Sequence, residues 1–268
     1  MERVDSEWLA LRAGLKPGLR LTAEPGEAAA IARRFRGFGC AVAIAQGPVG
    51  NHRQPQALLY VAWSATVAAG LCAAEKPLLD PQTSPRDKAF YTRELGLRLG
   101  YPPCCVDTFA AMVKAGDPRH AATRPHPDHV HAGLAWTARP DWRLNCLLLR
   151  QHARLVSFAA CRFDCPAAGE QAEAVRGEVQ RHAAAALPVL EAMLRRPVVI
   201  DRDGGRAWVE IAGGRVARAE APREPPDGPT QAADEATAGR LVAAEVGADG
   251  RLLARGEPAP LLLDFSRR

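Results

Sequence analysis

The chain has 268 residues, of which 47% are apolar and 24% charged, and its formal net charge is +5. This composition is typical of a globular protein and argues against an intrinsically disordered chain. The basic residues are dispersed and are not interleaved with aromatic residues, so we expect no nucleic-acid partner. The charged N-terminus lacks the apolar core of a signal peptide, and no apolar stretch is long enough to cross a bilayer, so we expect no membrane association.

The number of cysteines bears on which cellular compartment we expect for the protein. The chain has seven cysteines, and we expect no export signal. In a cytoplasmic protein, metal binding or redox chemistry is a more common use of cysteines than a disulfide framework. We therefore expect a cytoplasmic protein whose cysteines carry chemistry, acting on an unidentified small molecule or protein partner.

The first part of the chain, residues 1–80, predicts a small α/β segment. Hydrophobic spacing predicts a helix over residues 27–36. Runs of β-prone residues predict strands over 19–22, 40–45, 58–64 and 69–74, the last two as a hairpin with Cys72 in its second strand.

The centre, residues 81–196, predicts a helical core that carries the cysteines. One helix is expected before Gly100 and a second from Pro103, and residues 167–196 predict one long helix with Pro166 at its first position. The intervening residues 116–140 are rich in histidine and proline and predict a loop.

The remainder, residues 197–268, predicts a β-rich meander. Short apolar runs are separated by Asp-Gly and Gly-Gly turns, and a further hairpin is expected around Asp249-Gly250. The fold class predicted for the whole chain is α+β, either as these three segments or as one compact domain.

Two cysteine pairs are the most informative feature. Cys104 and Cys105 follow Pro102-Pro103 at the start of a predicted helix, and Cys161 and Cys165 precede Pro166, with Cys165 as the predicted N-cap. A helix N-terminus carries partial positive charge, which stabilises a thiolate. Both pairs are therefore placed where thiolate chemistry is favoured.

Four thiolates can hold a tetrahedral zinc ion or an iron–sulfur cluster if the fold brings them together. Neither pair has the Cys-x2-Cys spacing of a zinc ribbon. Adjacent cysteines can ligate different irons of one cluster, and Cys165-Pro166 resembles the Cys-Pro that ends bacterial ferredoxin motifs. The sequence thus favours an iron–sulfur cluster on Cys104, Cys105, Cys161 and Cys165, in a redox or accessory role, and leaves open whether the protein is an enzyme.

The element Gly-Tyr-Pro-x-Cys-Cys, together with Asn145 and the later Cys-x3-Cys, resembles a prokaryotic family with this pattern. The resemblance covers about the middle third of the chain and implies no particular activity. The cysteines are also similar to the CCG domain of heterodisulfide-reductase-type subunits, which holds a non-cubane cluster. That likeness would make Cys72 an upstream ligand.

Two alternatives involve the same four thiols. One is a metal-free protein in which Cys104 or Cys105 attacks a disulfide or electrophile, and a cysteine of the second pair resolves the intermediate. The other is a structural zinc site in an interaction module whose β-rich C-terminus contacts a partner protein.

Other cysteines and several histidines complete the set of candidates. Cys40, Cys72 and Cys146 lie in apolar runs that predict core positions. Imidazoles are common zinc ligands, and His152 could instead activate a nearby thiolate. The secondary metal-ligand candidates are His126, His129, His131 and His152.

Overall fold

The computed structural model describes residues 6–47, 56–115, 140–145, 154–200 and 206–221, and the short stretches 237–239, 241, 244–246, 252–253, 261–264 and 266. Helices and antiparallel sheets make the fold α+β, which confirms the predicted class. The Cα positions divide the chain into two compact units, one within Asp5–Arg124 and the other from Pro125 onward. In the part of the chain that is described, no helix has both the length and the apolar composition to span a membrane.

The first unit is a three-stranded antiparallel sheet with helices on both faces. Its strand order is β1-β3-β2. The elements are α1 (Ser6–Arg12), β1 (Leu19–Ala23), α2 (Pro25–Gly37), β2 (Ala41–Gly47), β3 (Gln56–Ala62), α3 (Ala65–Glu75), a 3₁₀ turn (Lys76–Leu79), α4 (Pro85–Arg98) and α5 (Pro103–Lys114).

Strand β3 is the centre of this unit, and all of its residues are buried. Leu58 and Tyr60 pack with residues of α3 and α4 on one face. Leu59 and Val61 point to the opposite face, where they pack with residues of α1 and α2. A strand covered on both faces and paired on both edges must be almost wholly apolar, which explains the sequence of β3.

The predicted strand over residues 69–74 is wrong, because this segment belongs to helix α3. Short apolar runs do not distinguish a strand from a buried helix, and alanine, the strongest helix former, dominates here. Ser64 stands at the N-cap position, and the buried residues Ala68, Leu71, Cys72 and Glu75 follow helical spacing. The other predicted strands of this unit are confirmed as β1, β2 and β3.

The second unit combines helices with a six-stranded antiparallel sheet of order β8-β7-β6-β5-β4-β9. Its elements are a 3₁₀ turn (Trp142–Leu144), α6 (Pro166–Ala183), a 3₁₀ turn (Ala184–Ala186), α7 (Leu187–Leu194), β4 (Val198–Ile200), β5 (Arg206–Ala212), β6 (Arg215–Glu220), β7 (Glu245–Val246), β8 (Leu252–Leu253) and β9 (Leu261–Leu263).

The single long helix predicted over residues 167–196 is divided into α6 and α7. Pro188 lacks the N–H that would bond to the carbonyl of Ala184, so the α-helical ladder cannot run through this point. The chain passes through a 3₁₀ turn instead and places Pro188 in the first turn of α7, where a proline is tolerated.

The predicted C-terminal hairpins are confirmed. Gly213 and Gly214 have φ values of 58° and 73° and connect β5 to β6 in the manner of a type I′ turn. Strands β7 and β8 pair antiparallel, and the predicted turn at Asp249-Gly250 lies outside the described residues. Strand β9, which the sequence did not suggest, adds to β4 at the edge of the sheet.

A buried ionic network ties α3 to the sheet of the first unit. Arg20 on β1 donates to both carboxylate oxygens of Glu75 at 2.6–2.8 Å, and the Tyr60 hydroxyl donates to Glu75 Oε2 at 2.8 Å. Burial, followed by the charge of Glu75, raises the pKa of Tyr60, so its hydroxyl keeps its proton and remains a donor. Burial opposes the charged form of Arg20, but Glu75 outweighs it and the pKa of Arg20 is raised.

Replacing Glu75 with glutamine should lower the free energy of unfolding by about 2 kcal/mol. The Glu75 side chain is 5% exposed and that of Arg20 is 25% exposed, so the variant leaves a largely buried guanidinium facing a neutral amide. Denaturant unfolding followed by circular dichroism measures the change. The matched control is Glu94→Gln, which removes a more exposed i,i+4 pair with Arg98 and should cost about 0.3 kcal/mol. Equal losses in the two variants would contradict a stabilising role for the buried network.

Candidate metal centre

The first cysteine pair follows a sharp corner between α4 and α5. Helix α4 ends in a Schellman motif, in which Gly100 N–H donates to the Leu97 carbonyl at 3.0 Å and Tyr101 N–H to the Gly96 carbonyl at 3.1 Å. The φ of Gly100 is 77°, a left-handed conformation that favours glycine. A Cβ at this position would also lie 2.7 Å from Pro17 Cδ. Backbone conformation and space therefore both require glycine here.

Two prolines then set the start of α5. Pro103 is the first helical residue, where its missing N–H costs nothing, and the Pro102 carbonyl accepts from the N–H groups of Cys105 and Val106. Cys104 and Cys105 thus lie in the first turn of the helix, as predicted. Val106 packs directly against Gly96 on α4. A Cβ at Gly96 would be only 2.9 Å from Val106 Cγ2. This close approach holds the first turn of α5 against α4.

The second cysteine pair lies on a tight turn before α6. Cys165 N–H donates to the Arg162 carbonyl at 3.1 Å, and Asp141 N–H donates to the Phe163 carbonyl at 2.7 Å. Phe163 is itself buried. Cys165 is the N-cap residue of α6 and Pro166 follows it, which confirms the predicted arrangement. Two backbone hydrogen bonds therefore fix the turn: one closes it across Phe163, and the other joins Phe163 to Asp141.

The four predicted cysteines come together. The Sγ atoms of Cys104, Cys105, Cys161 and Cys165 all lie within 4.8 Å of one another, and those of Cys104 and Cys105 are 3.9 Å apart. We call these residues the cysteine group. All four are thiols and not disulfides. Four sulfur donors at this spacing can hold a metal ion.

The members of the cysteine group differ in exposure. Cys105 and Cys165 are 2% and 3% exposed, whereas Cys161 is half-buried and Cys104 is exposed. Two of the four residues are thus sheltered from solvent, and Cys104 is the most open to it.

One cation, paired with a carboxylate, lies beside the second pair. Arg162 lies between the paired cysteines in sequence and forms a bidentate ion pair with Asp164. The Asp164 hydrogen bond and charge raise the pKa of Arg162, and the nearby Cys161 and Cys165 sulfurs raise it further. This cation and the N-termini of α5 and α6 place positive potential beside the cysteine group. Arg162 was not among the residues predicted from the sequence, although a basic residue between paired cysteines is a usable signal.

The remaining predicted candidates are elsewhere. Cys40 and Cys72 are buried in apolar clusters of the first unit, as predicted, and burial raises the pKa of both thiols. Cys72 is not a member of the cysteine group, so it does not take the place of the upstream ligand in the CCG pattern. Outside the described residues lie Cys146, His126, His129, His131 and His152.

Asn145, part of the Gly-Tyr-Pro-x-Cys-Cys resemblance, has a structural contact. It is 1% exposed, and its Nδ2 donates to the Leu194 carbonyl at 2.8 Å, which satisfies the C-terminus of α7. Arg195, the residue after Leu194, places its guanidinium carbon 4.1 Å from the centroid of the Trp142 ring. These contacts hold the segment that bonds to Phe163 through Asp141, and so they support the second corner.

Comparison of the chain with models of protein families, with curated proteins and with solved structures gives no match.

Substituting Gly100 with alanine should destabilise the protein by more than its unfavourable φ alone, because the new methyl group would also overlap Pro17. The matched control is Gly14→Ala: Gly14 has a φ of 73°, and a Cβ there would meet no described atom within 4 Å. We expect a loss of about 1 kcal/mol for Gly14→Ala and at least twice that for Gly100→Ala in denaturant unfolding. Equal losses would contradict a specific requirement for glycine at the corner before the first cysteine pair.

Proposed function

We propose that the protein is a cysteine-ligated metalloprotein in which the cysteine group binds a single tetrahedral metal ion, with Zn²⁺ as the best fit. The observation that carries the proposal is the spacing of the four sulfur atoms, none of which is more than 4.8 Å from another.

The spacing fits one ion. A zinc–thiolate bond is about 2.3 Å long, so the sulfurs of a tetrahedral site are about 3.8 Å apart. The Cys104 and Cys105 sulfurs are 3.9 Å apart, and the longest separation in the cysteine group exceeds the ideal edge only modestly. Small side-chain rotations would therefore complete the tetrahedron.

An iron–sulfur cluster is the second candidate, because the sequence favours it through the adjacent thiols and the Cys165-Pro166 step. Irons and sulfides would lie between the protein sulfurs, and the thiolates around a four-iron cubane are roughly 6 Å apart. The cysteine group would have to open to accept one. The observed spacing therefore supports the single ion better.

Electrostatics supports a bound cation. Two thiolates 4.8 Å apart repel each other by about 3 kcal/mol at an effective dielectric constant near 20. The cysteine group contains six such pairs at this distance or less. A divalent cation replaces this repulsion with attraction, and because only the folded chain presents the four sulfurs together, metal binding adds directly to folding stability.

The proposed role is structural or accessory. Four protein thiolates close the coordination sphere of zinc, which has no redox chemistry of its own, and closed sites are typical of structural zinc. A reducing cytoplasm, the location we infer, keeps such thiolates available as ligands. A metal-free thiol/disulfide protein uses the same residues, and metal analysis distinguishes the two.

Protein purified anaerobically without added metal should contain one zinc per chain and no acid-labile sulfide. A strong chelator should lower its melting temperature, and reconstitution with Co²⁺ should give the intense visible bands of a tetrahedral thiolate site. Zinc content is measured by inductively coupled plasma mass spectrometry.

A matched pair of variants tests the ligand assignment. Cys165→Ala removes a buried member of the cysteine group and should abolish stoichiometric zinc, whereas Cys40→Ala removes an equally buried thiol outside the group and should retain it. Iron and sulfide in equal amounts would instead establish the cluster. Protein that is folded but binds neither metal would support the thiol/disulfide alternative.

A further inference from the structure

The unequal exposure of the cysteine group distinguishes one ligand from the others. Metal-bound thiolates remain nucleophilic, and their reactivity depends on access to solvent. Cys105 and Cys165 are buried, Cys161 is half-buried and Cys104 is exposed. A reagent from solvent therefore meets the sulfur of Cys104 first.

We propose that Cys104 is a redox-sensitive ligand, at which a hydroperoxide oxidises the metal centre and releases the metal. The inference deepens the proposed function and rests on it. It assigns to Cys104 a modification that the closed zinc site alone does not imply, and it makes metal occupancy responsive to oxidants.

The chemistry balances with one hydroperoxide per metal. The Cys104 thiolate attacks the terminal peroxide oxygen, the O–O bond breaks, and the leaving alkoxide or hydroxide takes a proton from water, which leaves Cys104 as a sulfenic acid. A second thiolate then attacks the Cys104 sulfur, forms a disulfide and displaces hydroxide. The two thiolates supply two electrons to the peroxide, and the metal, now without two of its ligands, dissociates as the divalent ion.

Geometry selects Cys161 as the second thiolate. Adjacent residues have Cα atoms about 3.8 Å apart, whereas disulfides need about 4.4–6.8 Å, so Cys104 and Cys105 cannot bridge without distorting the first turn of α5. Cys165 is buried and holds the N-cap position of α6. Cys161 lies outside any helix, is half-buried, and has its sulfur within 4.8 Å of Cys104.

The test treats zinc-loaded full-length protein with limiting hydrogen peroxide. Released zinc is followed with a chromophoric chelator, and modified cysteines are mapped by mass spectrometry after alkylation. We expect one zinc released per peroxide consumed, a Cys104–Cys161 disulfide, and recovery of zinc binding after reduction. N-ethylmaleimide, added in less than one equivalent to the untreated protein, should label Cys104 at least ten times faster than Cys105 or Cys165.

Two variants make the assignment specific. In Cys161→Ser the sulfenic acid at Cys104 should persist and be trapped by dimedone. Cys40→Ala, which lacks a buried thiol outside the cysteine group, should respond to peroxide in the same way as the protein without a substitution. Because the labelling order is measured on the unaltered chain, it does not depend on whether a ligand variant folds.

The outcomes separate the two proposals. Protein that contains no metal before treatment overturns the proposed function and this inference with it. Loaded protein in which Cys105 or Cys165 is labelled first, or in which a Cys104–Cys105 disulfide forms, overturns this inference alone.

Discussion

Four sulfur atoms held within 4.8 Å of one another are the constraint on which the proposed chemistry depends. As thiols they would pack as ordinary small groups, but as thiolates they would repel one another. The first turn of α5, the N-cap of α6 and the Arg162 guanidinium all place positive potential near the cysteine group. An arrangement that concentrates negative charge and stabilises it in this way is suited to a metal ion more than to core packing.

At both corners that carry the cysteine pairs, a proline is the first residue of the helix that follows. Each cysteine pair adjoins a proline at the first position of a helix, Pro103 before the first pair and Pro166 after the second, and this proline fixes where the helix starts. Before the first pair, Gly100 reverses the chain in a left-handed conformation directly against Pro17. Before the second helix, a short turn closed onto the Arg162 carbonyl serves the same purpose. Rigid corners of this kind pre-organise ligands, so less conformational entropy is lost when a metal binds.

Sequence patterns correctly predicted the helix ends and turns that are determined by residues close by in the chain. Proline at a helix start, glycine at a helix end and Gly-Gly between β-prone runs identified α4, α5, the start of α6 and the β5–β6 hairpin because each signal acts within a few residues. The rules failed for residues 69–74, where an apolar run carries no periodicity, and at Pro188, whose effect falls four residues upstream. The Arg20–Glu75 pair, 55 residues apart, and the convergence of the cysteine group both depend on tertiary structure, which spacing along the chain does not encode.

If the proposed metal centre forms, the unequal exposure of its four cysteines also bears on whether loss of the metal would be reversible. If Cys104 and Cys161 form the disulfide, the buried sulfurs of Cys105 and Cys165 remain reduced, and they stay in place because one is packed in α5 and the other begins α6. Two retained thiolates cannot hold zinc tightly, but they keep half of the coordination sphere formed. Reduction of one disulfide then restores the full site without refolding either corner. The proposed metal centre, with two sheltered and two accessible ligands, would therefore combine stable binding under reducing conditions with release under oxidation, which four equally buried ligands would not allow.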